Sequence, residues 1–147
     1  MADVRTRIGA ARTASFLVLV LALLLTGCGI GPRFTGISSI RLACVNLCKK
    51  MNPPPFAEKT FDEKQPDALR AFQKAMRKAD KMRGSLDYDA LFRMQVSYKN
   101  GSVRNFTLNV EEEPGWNGLI VDQAHSEVGY RIPKAEAEAL RKVIYGK

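Results

Sequence analysis

The sequence contains few of the residues from which metal and catalytic centres are usually built. Beyond the N-terminal segment that ends at Cys28, the chain has one histidine and two cysteines, which makes three candidate ligands, whereas a closed zinc site needs four of these kinds. It contains no nucleophile-elbow pattern, no glycine-rich phosphate loop and no His-Glu-x-x-His sequence, each of which marks a familiar catalytic or nucleotide-binding class. We therefore predict no metal, no cofactor and no enzymatic activity.

The longest apolar stretch is too short to cross a bilayer. It runs from Phe16 to Leu25, whereas a membrane-spanning helix needs about 20 residues. Arg5, Arg7 and Arg12 precede it, and a basic segment followed by a short apolar one is typical of a secretory signal peptide. We predict a signal that is removed from the mature protein.

The apolar stretch ends in Leu25-Thr26-Gly27-Cys28, which resembles the lipobox of bacterial lipoproteins. Small residues precede the cleavage point, and the thiol after it accepts a diacylglycerol. We therefore predict cleavage between Gly27 and Cys28 and acylation of Cys28. Stable anchoring generally takes more than one acyl chain, and a diacylglycerol on the cysteine supplies two. A plain secretory signal or an uncleaved anchor is the alternative.

The mature chain has the size of one domain. Removing residues 1–27 from 147 leaves 120, within the usual range for a single core. We predict a lipidated cysteine with a short tether over 28–36 and one domain over 37–147. The tether reaches less than about 30 Å even when extended, which keeps the domain near the lipid on the extracytoplasmic face. In a cell with two membranes, Gly29 in place of an aspartate after the cysteine favours the outer membrane.

Hydrophobic periodicity predicts an α+β fold in the order β-α-β-β-β-(β)-α. We expect an antiparallel sheet of four to five strands with two helices packed on one face. The expected strands are 37–45, 91–99, 102–110, 118–122 and, as an optional partner, 128–132. The expected helices are 66–83, which begins at a proline and stops before Gly84, and a last helix that starts at Pro133 and carries Glu138 and Lys142 as an outward pair.

The register of the hairpin around Asn100-Gly101 follows from its apolar residues. A two-residue loop would place Phe106 on the side opposite Met94. A three-residue loop, Lys99-Asn100-Gly101 with Gly101 in the left-handed region, pairs Met94 with Phe106 and Phe92 with Leu108. We predict this bulged hairpin.

Several of these segments together resemble the small YhfM-like lipoproteins of Gram-positive bacteria. The resemblance is carried by the lipobox, Ile37-Ser38-Ser39-Ile40-Arg41, helix 66–83, Asp87-Tyr88, the Asn100-Gly101 hairpin, Gly118-Leu119-Ile120-Val121-Asp122 and Gly129-Tyr130-Arg131-Ile132. It implies a place on the outer leaflet of the cytoplasmic membrane and supplies no catalytic residues. Cys44, Cys48 and the prolines at 53–55 depart from the pattern.

Cys44 and Cys48 leave two interpretations open. Exported proteins retain disulfides, but residues four apart in an extended strand are about 13 Å apart, far beyond the Cα separation of a disulfide. A bridge therefore requires the chain to turn between them. Two free thiols are the alternative.

Charge is the other feature with functional content. With Arg5, Arg7, Arg12 and Asp3 in the signal, the mature chain has 20 basic and 14 acidic side chains, a net charge of +6. A basic face of the first helix is compatible with anionic headgroups or with simple solvation; it comprises Arg70, Lys74, Arg77, Lys78 and Lys81. We predict no nucleic-acid binding, because aromatic residues do not alternate with the basic ones.

The remaining candidates are single residues. His125 lies beside Asp122 and Ser126, but neighbours in sequence cannot form a catalytic triad, so we interpret it as a solvated loop residue. Trp116 is compatible with an exposed contact or with a lid on the core. We expect a lipid-anchored interaction or accessory module at the cell envelope, with an envelope protein as its partner. A small-ligand-binding or sensory lipoprotein, with a pocket near Trp116 and Tyr130, is the alternative.

Overall fold

The computed structural model describes residues 35–83 and 86–146. The predicted signal peptide 1–27, the cleavage site between Gly27 and Cys28, the lipidated cysteine and the tether up to residue 34 lie outside the described residues. Within those two ranges, no helix is long and apolar enough to cross a membrane.

The described residues form an α+β domain with one antiparallel sheet, so the predicted fold class is confirmed. The strands are β1 (Ile37–Cys44), β2 (Glu58–Phe61), β3 (Asp80–Lys81), β4 (Phe92–Tyr98), β5 (Val103–Asn109), β6 (Gly118–Asp122) and β7 (Gly129–Ile132). Their order in the sheet is β2-β1-β4-β5-β6-β7-β3. The helices are α1 (Asn46–Lys50), α2 (Pro66–Lys78) and α3 (Lys134–Tyr145), with a 3-10 turn at Gln123–His125.

The two long helices cover the same face of the sheet, as predicted. Phe72 of α2 lies 5.3 Å from Phe61, and Tyr145 of α3 lies 6.2 Å from Phe92, measured between ring centroids. Strand pairing places Phe61 and Phe92 on one face, because Phe61 is opposite Ile40 and every second residue shares a face. The core therefore lies between this face and the helices.

The bulged hairpin between β4 and β5 is confirmed. Met94 pairs with Phe106 and Phe92 pairs with Leu108. Gly101 has a φ of 85°, and its N–H donates to the Tyr98 carbonyl oxygen at 2.9 Å. A positive φ is available to glycine at little steric cost.

The expected four to five strands and two helices agree only roughly with the described chain, which has seven strands and, besides the two long helices, the short helix α1. The sequence pattern did not indicate β2, in which only Phe61 is buried, or β3, which has two exposed residues. Helix α2 ends at Lys78 and not at residue 83. Ala79 is extended, and Lys81 pairs with Tyr130 of β7, so tertiary strand pairing ends the helix early.

Strand β1 runs between two opposite ends of the sheet. At the end we call the entry end, Ile37 pairs with Tyr98, and the Lys99 N–H donates to the Gly36 carbonyl oxygen at 2.7 Å. At the other end, the distal end, Cys44 pairs with Phe92. Eight residues of β1 separate the two ends, about 24 Å at strand rise.

Candidate functional site: a groove at the distal end

Two adjoining cavities form a groove at the distal end of the domain. The larger has a volume of about 730 Å³ and is lined by Met51, Asn52, Pro53, Pro54, Pro55, Phe56, Lys59, Glu112, Ile144, Tyr145 and Gly146. The smaller, of about 330 Å³, is lined by Leu47, Met51, Leu91, Glu111, Glu112, Glu113 and Tyr145. The cavities share Met51, Glu112 and Tyr145, so we treat them as one site, the distal groove.

A disulfide shapes one wall of the groove. Strand β1 ends at Cys44, Asn46 has a φ of 32°, and α1 turns the chain so that the Cα atoms of Cys44 and Cys48 are 5.3 Å apart. The two cysteines are joined, and they are 5% and 0% exposed. The turn that a bridge requires is therefore present, and it places Leu47 and Met51 along the wall.

The proline run forms the next part of the wall. Prolines have no backbone N–H and a restricted φ, so three in succession cannot continue the sheet or a helix. Pro53 and Pro54 are exposed, and the peptide bond between Asn52 and Pro53 is cis. Phe56 follows and stacks on Phe92 at 5.5 Å. The run therefore lies outside regular structure between α1 and β2, and Phe56 after it returns the chain to the core.

Tyr145 provides a fixed polar group at the point where the two cavities meet. Its hydroxyl donates to the Val110 carbonyl oxygen at 2.7 Å. Burial, with the nearby charges of Glu112 and Glu111, raises the pKa of Tyr145 to about 12. The phenol is therefore neutral at physiological pH and retains its proton for this hydrogen bond.

Lys59 from β2 caps the C-terminus of α3. Its Nζ atom donates to the Val143 and Ile144 carbonyl oxygens at 3.2 and 3.4 Å. It also lies 5.9 Å from the centre of the Phe56 ring and 5.2 Å from that of Phe61. A cation at a helix C-terminus is favourable because the last carbonyls point toward it. This lysine charge is thus already engaged within the domain.

The acidic turn between β5 and β6 is held by a buried arginine. Arg141 is 4% exposed. It donates from Nε to the Glu111 carbonyl oxygen at 2.7 Å, from Nη2 to the Trp116 carbonyl oxygen at 2.8 Å, and from Nη1 to the Glu138 carboxylate at 2.7 Å. That carboxylate also accepts from the Gly115 N–H at 2.8 Å. We call this arrangement the Arg141 clamp.

The clamp corrects one prediction about α3. Glu138 was expected to pair outward with Lys142, whereas it pairs with Arg141 and with the backbone of the turn. The clamp also fixes the backbone at Trp116. Arg141 binds the Trp116 carbonyl oxygen, whereas the residue as a whole is 60% exposed. Trp116 is therefore an exposed residue on a fixed backbone and not a lid on the core.

The expected basic face is divided by the structure. Arg70 forms an ion pair with Asp67, and Lys74 Nζ lies 3.6 Å from Glu136 Oε1 on α3. Arg77 and Lys78 are exposed at the end of α2. Lys81 lies on β3 and is not part of the helix, which separates it from the other four.

The loop histidine and Asp122 have different partners. The Asp122 carboxylate is 7% exposed, forms an ion pair with Arg104, and accepts from the Ala124 N–H at 3.0 Å. His125 is exposed, and its Nδ1 atom is 4.0 Å from Glu127. Within the described part of the chain, no three His, Cys, Asp or Glu side chains come together as metal ligands would.

Sequence reasoning did not assemble the distal groove. Neither Trp116 nor Tyr130, where a pocket was expected, lines the two cavities. One signal was available: Arg141 occupies the apolar stripe of α3 between Leu140 and Ile144, and a charge in such a position is usually bound to fixed partners.

Comparison of the chain with protein-family models, with curated proteins and with solved structures gives no match.

Proposed function

We propose that this protein is a lipid-anchored interaction module that is held at the extracytoplasmic face of a membrane and presents its distal groove to an envelope protein. The Leu25-Thr26-Gly27-Cys28 sequence supports the anchor. The position of the groove supports its role in binding an envelope protein, because residue 36 lies at the entry end of the domain and the groove lies at the distal end.

The geometry of β1 gives this proposal its orientation. The chain from a lipid on Cys28 would join the domain at Gly36, which is hydrogen-bonded at the entry end. The distal groove lies about 24 Å further along β1. A domain tethered at one end of its sheet thus has the opposite end available to proteins in the envelope.

Metabolic labelling tests the anchor directly. Cells that express the full chain are grown with an alkyne fatty acid, and the protein is isolated from the detergent phase after phase separation. We expect label on the natural chain and none on Cys28→Ala. A Cys44→Ala, Cys48→Ala double variant is the matched control and should keep its label. Label that persists on Cys28→Ala, or natural protein that stays in the aqueous phase, contradicts the proposal.

In-cell crosslinking tests the interaction. The acylated protein and the Cys28→Ala variant are purified after crosslinking, and their partners are identified by mass spectrometry. A partner enriched only with the acylated form supports a module that acts at the membrane. Failure of both forms to enrich any protein would contradict the interaction role while leaving the labelling result intact.

One observation favours a second candidate, a small-ligand-binding lipoprotein. The larger cavity, at about 730 Å³, is within the range of volumes that hold small molecules. A ligand that binds only the folded state stabilises it by an amount that grows with the logarithm of the ligand concentration once that concentration exceeds Kd, and so raises the melting temperature. A thermal-shift screen of small metabolites therefore distinguishes this candidate from the first.

A further inference from the structure

We infer that the distal groove and the turn at 111–116 bind an extended, cationic segment of a partner protein, one that combines lysine or arginine with aliphatic residues or proline. This inference names the partner chemistry for the proposed interaction module. It rests on that proposal only for the location of the partner.

The charges around the groove favour a cationic partner. Three of the charged residues that line the two cavities are glutamates at 111, 112 and 113, and one is Lys59. Lys59 is bound to the carbonyls of α3. Among the described residues, Glu111 and Glu113 are exposed and have no ion-pair partner. The groove thus has an acidic rim on a chain whose net charge is +8.

Trp116 adds a second feature that suits a cationic side chain. Tryptophan is the aromatic residue that binds ammonium and guanidinium groups most strongly through its ring face. One guanidinium, that of Arg141, bonds to the carbonyls of both Glu111 and Trp116, so the acidic run and the exposed residue belong to one small, fixed turn. Because the clamp already orders the turn, binding there loses less conformational entropy.

The shape and lining of the groove favour an extended segment. The two cavities adjoin along shared walls and run from the proline run past α1 to the acidic turn. Aliphatic side chains and prolines supply contact surface along this path, including Leu47, which is 39% exposed. An extended chain places alternate side chains on opposite sides, so apolar residues can face the groove while neighbouring cations face the acidic rim.

The position of the groove favours a protein over a lipid surface. It lies at the end of the sheet opposite Gly36. A run of three glutamates also repels the anionic headgroups to which basic surfaces bind. An exposed tryptophan in this setting therefore suits a protein partner better than a bilayer.

The chain offers a direct spectroscopic test, because Trp116 is its single tryptophan. The full-length protein, purified in a nonionic detergent, is titrated with a short peptide of alternating lysine, leucine and proline that has no aromatic residue. We expect a saturable blue shift or quenching of the tryptophan emission. A peptide with glutamate in place of lysine should bind at least about tenfold more weakly, and a lysine-glycine-serine peptide of equal charge should do the same.

Matched variants locate the binding. The double variant Glu111→Gln, Glu113→Gln should lower the affinity for the cationic peptide by about tenfold. Glu127→Gln, at an exposed position in the loop before β7, should leave that affinity unchanged. Leu47→Ala should lower the same affinity severalfold. Met82→Ala is the control, because Met82 is also 39% exposed but does not line either cavity.

The other occupants of such a groove give distinct results. Equal binding of the glutamate peptide, or of the lysine-glycine-serine peptide, would overturn the inferred chemistry. A shift in emission with anionic vesicles alone would assign Trp116 to a lipid surface, and a shift with protein concentration alone would assign the groove to a second copy of the chain. No change with any peptide at millimolar concentration would also reject the inference, whereas fatty-acid labelling of Cys28 would be unaffected.

Discussion

Replacement of Arg141 by methionine tests whether the buried clamp stabilises the domain. Arg141→Met retains an unbranched apolar side chain but removes the charge and the three hydrogen bonds to Glu111, Trp116 and Glu138. The residue is 4% exposed, so in the natural protein the guanidinium finds its hydrogen-bond partners within the domain. The Glu138 carboxylate and the carbonyls of the turn lose their donor.

The expected loss follows from the burial of each partner. Loss of one member of a buried ion pair costs about 3 to 5 kcal/mol when the other charge stays buried. The Glu138 side chain is 39% exposed, and Glu111 and Trp116 lie at the surface, so water can bind these groups in the variant. We therefore expect a loss near the lower limit, about 3 kcal/mol in the free energy of unfolding. For a domain of this size, a loss of about 3 kcal/mol corresponds to a fall of about 12 °C in melting temperature.

Chemical denaturation with a local probe measures both consequences. Far-UV circular dichroism gives the free energy of unfolding, and acrylamide quenching of Trp116 fluorescence reports the freedom of the turn, which should increase in Arg141→Met. Lys142→Met is the matched control, because its side chain is exposed on the adjacent position of α3, and it should change stability by less than about 0.5 kcal/mol. If the two variants lose equal stability, or if quenching is unchanged, the clamp does not hold the turn.

Three further perturbations have defined outcomes. Reduction of the Cys44–Cys48 disulfide should lower the free energy of unfolding by about 2 kcal/mol, the chain-entropy value for so short a loop, as measured by denaturation of the oxidised and reduced protein; equal midpoints would contradict it. Tyr145→Phe should remove the tyrosine ionisation near pH 12 from the absorbance titration at 295 nm. Because the folded pKa of Tyr145 is raised above the usual 10, its neutral form stabilises the domain below pH 10, and this contribution is lost as the pH rises through 12; a titration in which natural protein and variant coincide would refute this. Gly101→Ala should cost about 1 kcal/mol, because φ is 85° and nothing lies within 4 Å of an added Cβ atom, and a stability unchanged in denaturation would show that the turn relaxes.

The sequence was most informative where local chemistry and burial agree. The register of the β4–β5 hairpin could be derived because Asn100-Gly101 specifies a turn and Met94 and Phe106 must share the core face. The helix from Pro66 could be derived from its apolar spacing. Its end could not, because residues 80–81 pair with β7, and that contact is visible only in the folded sheet. Strand β2 was missed for the same reason, since Phe61 is its single buried residue.

The distal groove could not be derived from the sequence, because its walls come from segments far apart along the chain. The folded sheet and its helices bring together the proline run, β2, the acidic turn and the end of α3. Each segment alone has an ordinary structural interpretation: a loop, an edge strand, a charged turn and a helix end. Their convergence is what makes them a candidate site.

The Arg141 clamp connects the stability of the domain with the proposed recognition. A solvated turn with three glutamates would be mobile, and each partner that bound it would have to order it first. Here the ordering is provided by a guanidinium that is buried when the domain folds, so the acidic rim and Trp116 are fixed before a partner arrives. Arg141→Met should therefore lower the affinity for the cationic peptide more than Lys142→Met does, at temperatures where both variants remain folded. Equal affinities for the two variants would mean that the turn binds equally well when it is free to move, and that the clamp serves stability alone.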